Sequence, residues 1–260
     1  MLGWLRRRRR ARLRALPAPP AWREVIARNV PYFSRLAPPD QERLLGHVQV
    51  FLHEKRFEGC GGLVVSDEMR VTIAAQACVL LLGQEDPDVF PDAGTILVYP
   101  HAYLAPSQER LPDGSVVEGQ VTRLGEAWRR GEVVLSWDAS LGGAADPRDG
   151  QNLVLHEFAH KLDMEDGAAD GAPLLPQRSR YLAWARALSP AYAALQEKVT
   201  AGRRDVLDPY AATNPAEFFA VATECFFEKP RQLQRKHPEL YAQLRAYYRQ
   251  DPAALPPPRG

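Results

Sequence analysis

The spacing of apolar and polar positions divides the chain into helical segments and a few short strands. Apolar residues at helical spacing predict an amphipathic helix beginning at Pro39 and Asp40, and a nearly continuous apolar run predicts a buried helix over residues 67–82. Short runs rich in β-branched residues predict strands over residues 95–99 and 132–137. The first half of the chain therefore combines helices with a small amount of sheet.

The second half of the chain has a helical pattern. Periodic apolar positions predict helices over residues 151–165, 177–200, 215–228 and 238–249. The Gly-, Ala- and Asp-rich residues between 137 and 150 predict a loop, and Pro112, Asp113 and Gly114 predict the tip of a hairpin. Because helices dominate and the strands precede the longest helical block, we predict one α+β domain.

Composition and charge suggest where this domain begins and ends. A chain of 260 residues with 45% hydrophobic residues is long and apolar enough to fold, which excludes a disordered or fibrous protein. Seven arginines and no acid occur in residues 1–14, so the remainder carries 26 basic and 32 acidic residues. We predict a flexible arginine-rich tail over residues 1–20, a folded domain over residues 21–252 and a disordered tail over residues 253–260.

The same features bear on partners and location. The arginine tail is either a solvated charge run or a weak, unspecific contact for nucleic acid or anionic lipid. No apolar signal-type core follows the arginines, and the longest apolar run, residues 71–82, is shorter than the roughly 20 residues that a bilayer span needs. Cys60, Cys78 and Cys225 form no disulfide framework. We therefore predict a cytoplasmic protein with no membrane partner and no specific nucleic-acid partner.

The most informative segment is residues 151–163, which contains the pattern H-E-x-x-H. On a helix, His156 and His160 stand one turn apart on the same face and can bind one metal ion together. Val154 and Phe158 fall on the opposite, apolar face. The alternative is that both histidines are ordinary, partly buried residues that bond to the backbone.

A zinc ion needs a third protein ligand. Glu217 is the best candidate, although its position three residues after Asn214 also fits a helix capping box. Glu224 shares a helix face with Glu217 and is either an outer partner of a ligand or an alternative ligand. Asp163 either accepts a hydrogen bond from a ligand imidazole or is a solvated residue near the helix end.

Two further predictions concern residues around this site. The strand over residues 132–137 either pairs with an extended peptide substrate through backbone hydrogen bonds or is an ordinary sheet strand. The other histidines have no partner at metal-binding spacing and are interpreted as structural or surface residues. They are His47, His53, His101 and His237.

Two motifs together carry a family resemblance. The sequence HEFAHKLD at residues 156–163 and the sequence DPYAATNPAEFFA at residues 208–220 resemble the Mlc titration factor A (MtfA) family of bacterial zinc peptidases. The second motif also resembles the catalytic domain of anthrax lethal factor. The resemblance covers about residues 21–252 and implies a mostly helical, zincin-like metallopeptidase domain with a small sheet next to the H-E-x-x-H helix.

The resemblance also implies a role for each site residue. His156, His160 and Glu217 correspond to the ligands of one Zn²⁺ per chain, Glu157 to the general base, and Tyr210 to a residue that steadies the transition state. Zinc with two imidazoles and one carboxylate acidifies water and polarises a peptide carbonyl. Glu157, which is next to a ligand, is placed to accept the proton of that water.

The resemblance implies an aminopeptidase-like enzyme that acts on peptides and binds a transcriptional repressor of the Mlc type. The alternative is a non-catalytic regulator that sequesters a transcription factor and keeps a structural or vestigial metal site. A structural zinc site usually has four protein ligands, whereas the sequence offers three. This favours catalysis.

Overall fold

Helices make up most of the computed structural model, which describes residues 2–84, 86–110, 116–123, 125–127, 131–145 and 149–257. The helices of the first half are α1 (Leu2–Ala15), α2 (Pro20–Asn29), α3 (Pro31–Arg35), α4 (Pro38–Glu54) and α5 (Asp67–Val79). Those of the second half are α6 (Trp137–Ala145), α7 (Leu153–Asp163), α8 (Arg180–Thr200), α9 (Pro215–Glu228), α10 (Pro230–Lys236) and α11 (Pro238–Tyr248). Short 3-10 helices lie at Met164–Asp166, Pro209–Ala212 and Pro252–Ala254.

The strands form one small mixed sheet and one separate hairpin. They are β1 (Arg56–Gly59), β2 (Ala93–Tyr99), β3 (Tyr103–Arg110), β4 (Val116–Arg123), β5 (Gly125–Ala127) and β6 (Gly131–Ser136). The sheet order is β1-β2-β6-β5, in which β1, β2 and β6 are parallel and β5 is antiparallel to β6. Strands β3 and β4 pair antiparallel, and the hairpin tip predicted at residues 112–114 lies outside the described residues.

The core joins this sheet to helices α4, α5, α7 and α9. Helix α5 is buried along most of its length, as its unbroken apolar run predicts. The Phe158 ring of α7 packs at 4.6 Å from the Phe90 ring and at 5.6 Å from the Phe51 ring of α4. These ring contacts hold the apolar face of α7 in the core. The helix also contacts strands β5 and β6, and its other face turns towards α9.

The predicted α+β class is confirmed, and so are the main helices. Helix α9 begins and ends at the predicted residues, while α5 ends three residues before the predicted end at residue 82. The predicted loop between residues 137 and 150 is wrong, because α6 occupies most of it. Its glycines suggested a loop, but Gly143 allows close packing: a Cβ there would lie 2.7 Å from the backbone oxygen of Gln151.

The two chain ends differ from the expected tails. Residues 2–15 form α1, which packs on α4, and the Arg10 side chain is only 3% exposed and pairs with Glu54 at 2.7 Å. Near the other end, Arg35 donates hydrogen bonds to the backbone oxygens of Pro252 and Pro256. Domain boundaries placed from composition do not include these two sets of contacts, because the partners of each are distant in sequence. No helix in the described part of the chain is both long and apolar enough to span a bilayer.

Candidate metal centre

Helix α7 presents its two histidines on one side. Asn152 caps the helix, since its side chain accepts a hydrogen bond from the Leu155 N–H at 3.0 Å. The apolar face carries Phe158 into the core, so the opposite face leaves His156 and His160 at the boundary with α9, each with a side chain 14% exposed. The helix therefore has the apolar face and the opposite histidine face that the sequence predicts.

Helix α9 supplies the carboxylate opposite these histidines. Asn214 caps α9 by accepting a hydrogen bond from the Glu217 N–H at 2.9 Å. The Glu217 carboxylate points to the histidines instead of back to the cap: its Oε2 lies 3.0 Å from His156 Nε2 and 3.3 Å from His160 Nε2. The cap sets the start of the helix, and the side chain remains available to the centre.

The three facing atoms have the spacing of a metal site. His156 Nε2 and His160 Nε2 lie 3.2 Å apart, and each is within 3.3 Å of Glu217 Oε2. Ligand atoms bonded tetrahedrally to zinc at about 2.0–2.1 Å are about 3.3 Å from one another. Two imidazole nitrogens and one carboxylate oxygen are also a donor set that zinc accepts. The cluster of His156, His160 and Glu217 therefore fits one such ion.

Glu224 orients one of the histidines. Its Oε1 accepts the hydrogen bond of His156 Nδ1 at 2.7 Å, and its Oε2 accepts one from the Asn152 N–H at 2.5 Å. When a metal ion occupies Nε2, this pairing keeps the imidazole proton on Nδ1 and leaves the Nε2 lone pair to the ion. Of the two roles considered for Glu224, an outer partner or an alternative ligand, this contact with His156 Nδ1 fits the first. The link to the Asn152 backbone was missed, although the N-cap pattern of α7 was visible.

The charges of the centre are strongly coupled. Burial lowers the pKa of His156, but its hydrogen bonds to Glu217 and Glu224 outweigh this and raise the pKa well above its usual value. Burial acts to raise the pKa of Glu217, yet the two histidines hold it well below its usual range. Without a metal ion, His156 therefore carries a proton that faces the carboxylates. A metal ion competes with that proton for the same nitrogen.

Glu157 lies beneath strand β5. A Cβ on Gly125 of β5 would lie 2.8 Å from Glu157 Oε1 and 2.6 Å from Leu153 Cδ1, so a larger residue there would displace these side chains. Glu157 is 5% exposed, and burial raises its pKa to about 7. A carboxyl group with a pKa near neutrality can accept and release protons at the pH of a cell.

Tyr210 lies at the solvent-exposed edge of the centre. It is part of the 3-10 helix Pro209–Ala212, where Asp208 accepts the Tyr210 N–H at 2.8 Å. Its ring centre is 6.1 Å from that of His156, and the residue is 53% exposed. The structure thus brings Tyr210 next to the centre.

Asp163 has neither of the two roles considered for it, because it is not solvated and its hydrogen bond is with the backbone and not with a ligand imidazole. Asp163 is fully buried, and its Oδ2 accepts a hydrogen bond from the Gly171 N–H at 3.0 Å. The Trp184 indole donates to the Gly171 carbonyl at 2.9 Å, so this glycine is held from both sides. A Cβ at Gly171 would lie 2.4 Å from the Pro215 oxygen. Asp163 therefore fixes a loop that contacts the start of α9.

The strand predicted over residues 132–137 as a substrate partner is an interior strand. Strand β6 is paired on one side with β2 and on the other with β5, so its backbone groups are engaged. The alternative interpretation, an ordinary sheet strand, is the correct one. Within this sheet, β5 is the edge strand on the α7 side.

The remaining histidines lie away from the centre and have other contacts. His237 Nε2 is 2.8 Å from Asp205 Oδ1, and His47 is buried in α4. His53 contacts Arg9, and His101 contacts Asp138. These positions agree with the structural or surface roles expected for them.

Two histidines one helical turn apart and a carboxylate from a second helix define the class of centre found in metallopeptidases. The family model described as "Glucose-regulated metallo-peptidase M90" matches residues 4–249, and the chain belongs to this family. Membership implies a bound metal ion and a peptide substrate. The match includes most of α1, the segment that composition set apart as a tail.

Curated relatives cover most of the chain. An uncharacterised protein from Synechocystis sp. (strain ATCC 27184 / PCC 6803 / Kazusa) is 43% identical over 238 residues, or 91% of this chain and 86% of the relative. Proteins named Mlc titration factor A are each 35% identical over 240 residues, or 90% of this chain. They come from Pectobacterium atrosepticum (87% of the relative covered) and Serratia proteamaculans (88%). The family resemblance predicted from the two motifs is confirmed.

Proposed function

We propose that the protein is a zinc-dependent peptidase in which His156, His160 and Glu217 bind one Zn²⁺ per chain. The observation that carries this proposal is the convergence of two Nε2 atoms and one carboxylate oxygen at 3.0–3.3 Å from one another. Glu224 supports it, because its hydrogen bond keeps the His156 Nε2 lone pair available to a cation. The family supplies the class of enzyme, and the donor set favours zinc.

The residues around the ligands suit peptide hydrolysis. Bound Zn²⁺ would polarise the peptide carbonyl and make water more acidic. Glu157, which is buried next to the ligand His156, accepts the proton from the attacking water and passes it to the leaving amine. Tyr210, at the solvent side of His156, donates a hydrogen bond to the developing oxyanion.

The substrate is proposed to be an extended peptide. Strand β5 is an edge strand and lies against the buried Glu157, so a peptide paired with its backbone would pass next to the base. Backbone pairing fixes a peptide without demanding a particular sequence. An aminopeptidase-like preference rests on the family resemblance alone and needs a free amino terminus on the substrate.

A transcriptional repressor of the Mlc type is the proposed protein partner, in the cytoplasm. The relatives named Mlc titration factor A support this partner. The free Cys60, Cys78 and Cys225 suit a reducing compartment. A purely regulatory protein would bind the repressor and hydrolyse nothing, so measuring both properties on one preparation separates the two functions.

The test combines elemental analysis with hydrolysis of amino-acid and peptide amides, with and without a chelator. We expect one zinc per chain, hydrolysis that the chelator abolishes, and recovery on adding zinc. The Glu157→Gln variant should keep its zinc and lose hydrolysis, whereas His156→Ala should lose both. An undiminished rate in Glu157→Gln would show that the proposed base is wrong, and hydrolysis by metal-free protein would rule out the metal-dependent reaction.

A further inference from the structure

Helix α1 has two chemically different faces. The arginines on its inward face recur every fourth residue, and each is paired with a carboxylate of the body. The pairs are Arg6–Asp88, Arg10–Glu54, Arg10–Asp88 and Arg14–Asp86. Their guanidinium groups are therefore neutralised within the fold, and α1 is attached to the protein by this face.

The outward face combines exposed apolar side chains with further arginines. Trp4 is 60% exposed and Leu5 is 56% exposed, and the Arg8 guanidinium lies 4.7 Å from the centre of the Trp4 ring. At about 100° per residue, Trp4, Leu5, Arg8 and Arg12 fall within an arc of about 100°. Arg8 and Arg12 are exposed and take part in no ion pair with a described residue. No acidic residue occurs anywhere in α1.

We propose that the outward face of α1 docks the protein on an anionic lipid surface. Arginine guanidinium groups bind lipid phosphates, and tryptophan prefers the boundary between head groups and acyl chains. Leu5 would enter the same boundary, which a nucleic-acid backbone cannot offer to an aliphatic side chain. Because the apolar area is small, attachment is shallow and reversible and depends on anionic lipid.

This inference is independent of the peptidase chemistry and differs from the expectation that the protein has no membrane partner. The sequence alone shows seven arginines as one charge run. The structure pairs Arg6, Arg10 and Arg14 with carboxylates of the body and leaves Arg8 and Arg12 exposed on the side of Trp4 and Leu5. Lipid attachment of this kind needs no membrane-spanning helix.

The test is co-sedimentation of the full-length protein with vesicles of phosphatidylcholine, alone or mixed with phosphatidylglycerol. We expect binding only to the mixed vesicles, and weaker binding as salt is added. The double substitution Arg8→Gln with Arg12→Gln should weaken binding on the order of tenfold or more. Trp4→Ala with Leu5→Ala should also weaken it, and neither variant should change Tm because these side chains are exposed.

The matched control is Arg178→Gln with Arg186→Gln, which removes the same charge from exposed positions elsewhere. It should bind vesicles as the wild type does. Equal weakening by the control would overturn the proposal, since net charge alone would then explain binding. The proposal also fails if Trp4→Ala with Leu5→Ala binds normally while duplex DNA binds as tightly as the vesicles, because α1 would then be an unspecific polyanion contact.

Discussion

His156 lies between two carboxylates that stand seven residues apart on α9. Glu224 accepts its Nδ1 proton at 2.7 Å, and Glu217 faces its Nε2 at 3.0 Å. The first contact selects the tautomer, and the second places a negative charge where a cation would bind. A single helix thus supplies both a candidate ligand and the group that orients another ligand.

Glu224 gives a residue-scale prediction about metal affinity. The Glu224 carboxylate accepts one hydrogen bond from His156 Nδ1 and one from the Asn152 N–H. In Glu224→Gln only the amide oxygen can accept, so one of these two hydrogen bonds is lost. We expect zinc affinity, measured by competition with a chromogenic chelator, to fall about 10- to 100-fold.

The control for this variant is Glu228→Gln, one turn further along α9. Burial raises the pKa of Glu228 to about 9, so its carboxyl group is neutral at pH 7 and resembles an amide. Its zinc affinity should stay close to that of the wild type. Equal affinities for Glu224→Gln and wild type would show that the contact with His156 Nδ1 does not support metal binding.

Glu157 gives a prediction about stability and pH. In metal-free protein, burial raises the pKa of Glu157 from 4.5 to about 7, so the folded state disfavours its ionised form. Relative to Glu157→Gln, the wild type therefore loses stability as pH rises from about 4.5 to 7. We expect the variant to be more stable at pH 8 by up to about 3 kcal/mol and equal near pH 4.5. Urea unfolding in the presence of chelator measures this difference, and a constant difference at both pH values would contradict it.

At the scale of elements, the loop between α7 and α8 controls the start of α9. Gly171 has a φ of +79° and lies against Pro215, while Asp163 and Trp184 hold its backbone. A contact of this kind transmits any displacement of the loop to the helix that carries Glu217. The loop is therefore part of the support of the metal centre.

Gly171→Ala tests this support. The added Cβ would lie 2.4 Å from the Pro215 oxygen in a backbone conformation that favours glycine, so we expect a loss of roughly 2–4 kcal/mol and weaker zinc binding. Gly167→Ala is the control, because Gly167 has a φ of +91° and open space around it. It should lose about 1 kcal/mol and keep its zinc affinity. The same zinc affinity in both variants would show that this loop does not support the start of α9.

The two helices that carry the candidate ligands could be predicted from the sequence, because the faces and caps of a helix depend on residues that are close together in the chain. The two histidines and Glu217 could be placed because each helix has its own apolar face and cap. The roles of Asp163 and β6 could not be placed, because they depend on Gly171 and on the sheet order, which are contacts between distant segments. The role of Gly125 was missed for the same reason. A side chain at this position is unfavourable only because Glu157 packs beneath β5 in the folded chain.

At the scale of the whole molecule, α1 is attached to the outside of the fold. It packs mainly on α4 and is paired with body carboxylates, whereas the centre is built from α7 and α9. The α+β class followed from the order of helices and strands, but the docking of α1 did not. The four-residue spacing of Arg6, Arg10 and Arg14 was present in the sequence, yet their partners could be found only in the folded chain.

Deletion of residues 2–15 tests this arrangement. It removes the buried Arg10 and leaves Glu54 without its partner, so we expect Tm to fall by roughly 5–10 °C. Zinc content and hydrolysis should be unchanged in protein that remains folded, because α1 lies apart from the two ligand helices. Loss of zinc from the folded truncated protein would show that α1 supports the centre.

The most direct measurement of the central claim is the position of zinc in crystals of the purified protein, from anomalous diffraction on both sides of the zinc absorption edge. We expect one peak per chain, bonded to His156 Nε2, His160 Nε2 and a Glu217 carboxylate oxygen at about 2.0–2.1 Å, with Glu224 on His156 Nδ1. A peak bonded to Glu224 instead of Glu217, or zinc-loaded protein with no peak between α7 and α9, would contradict it.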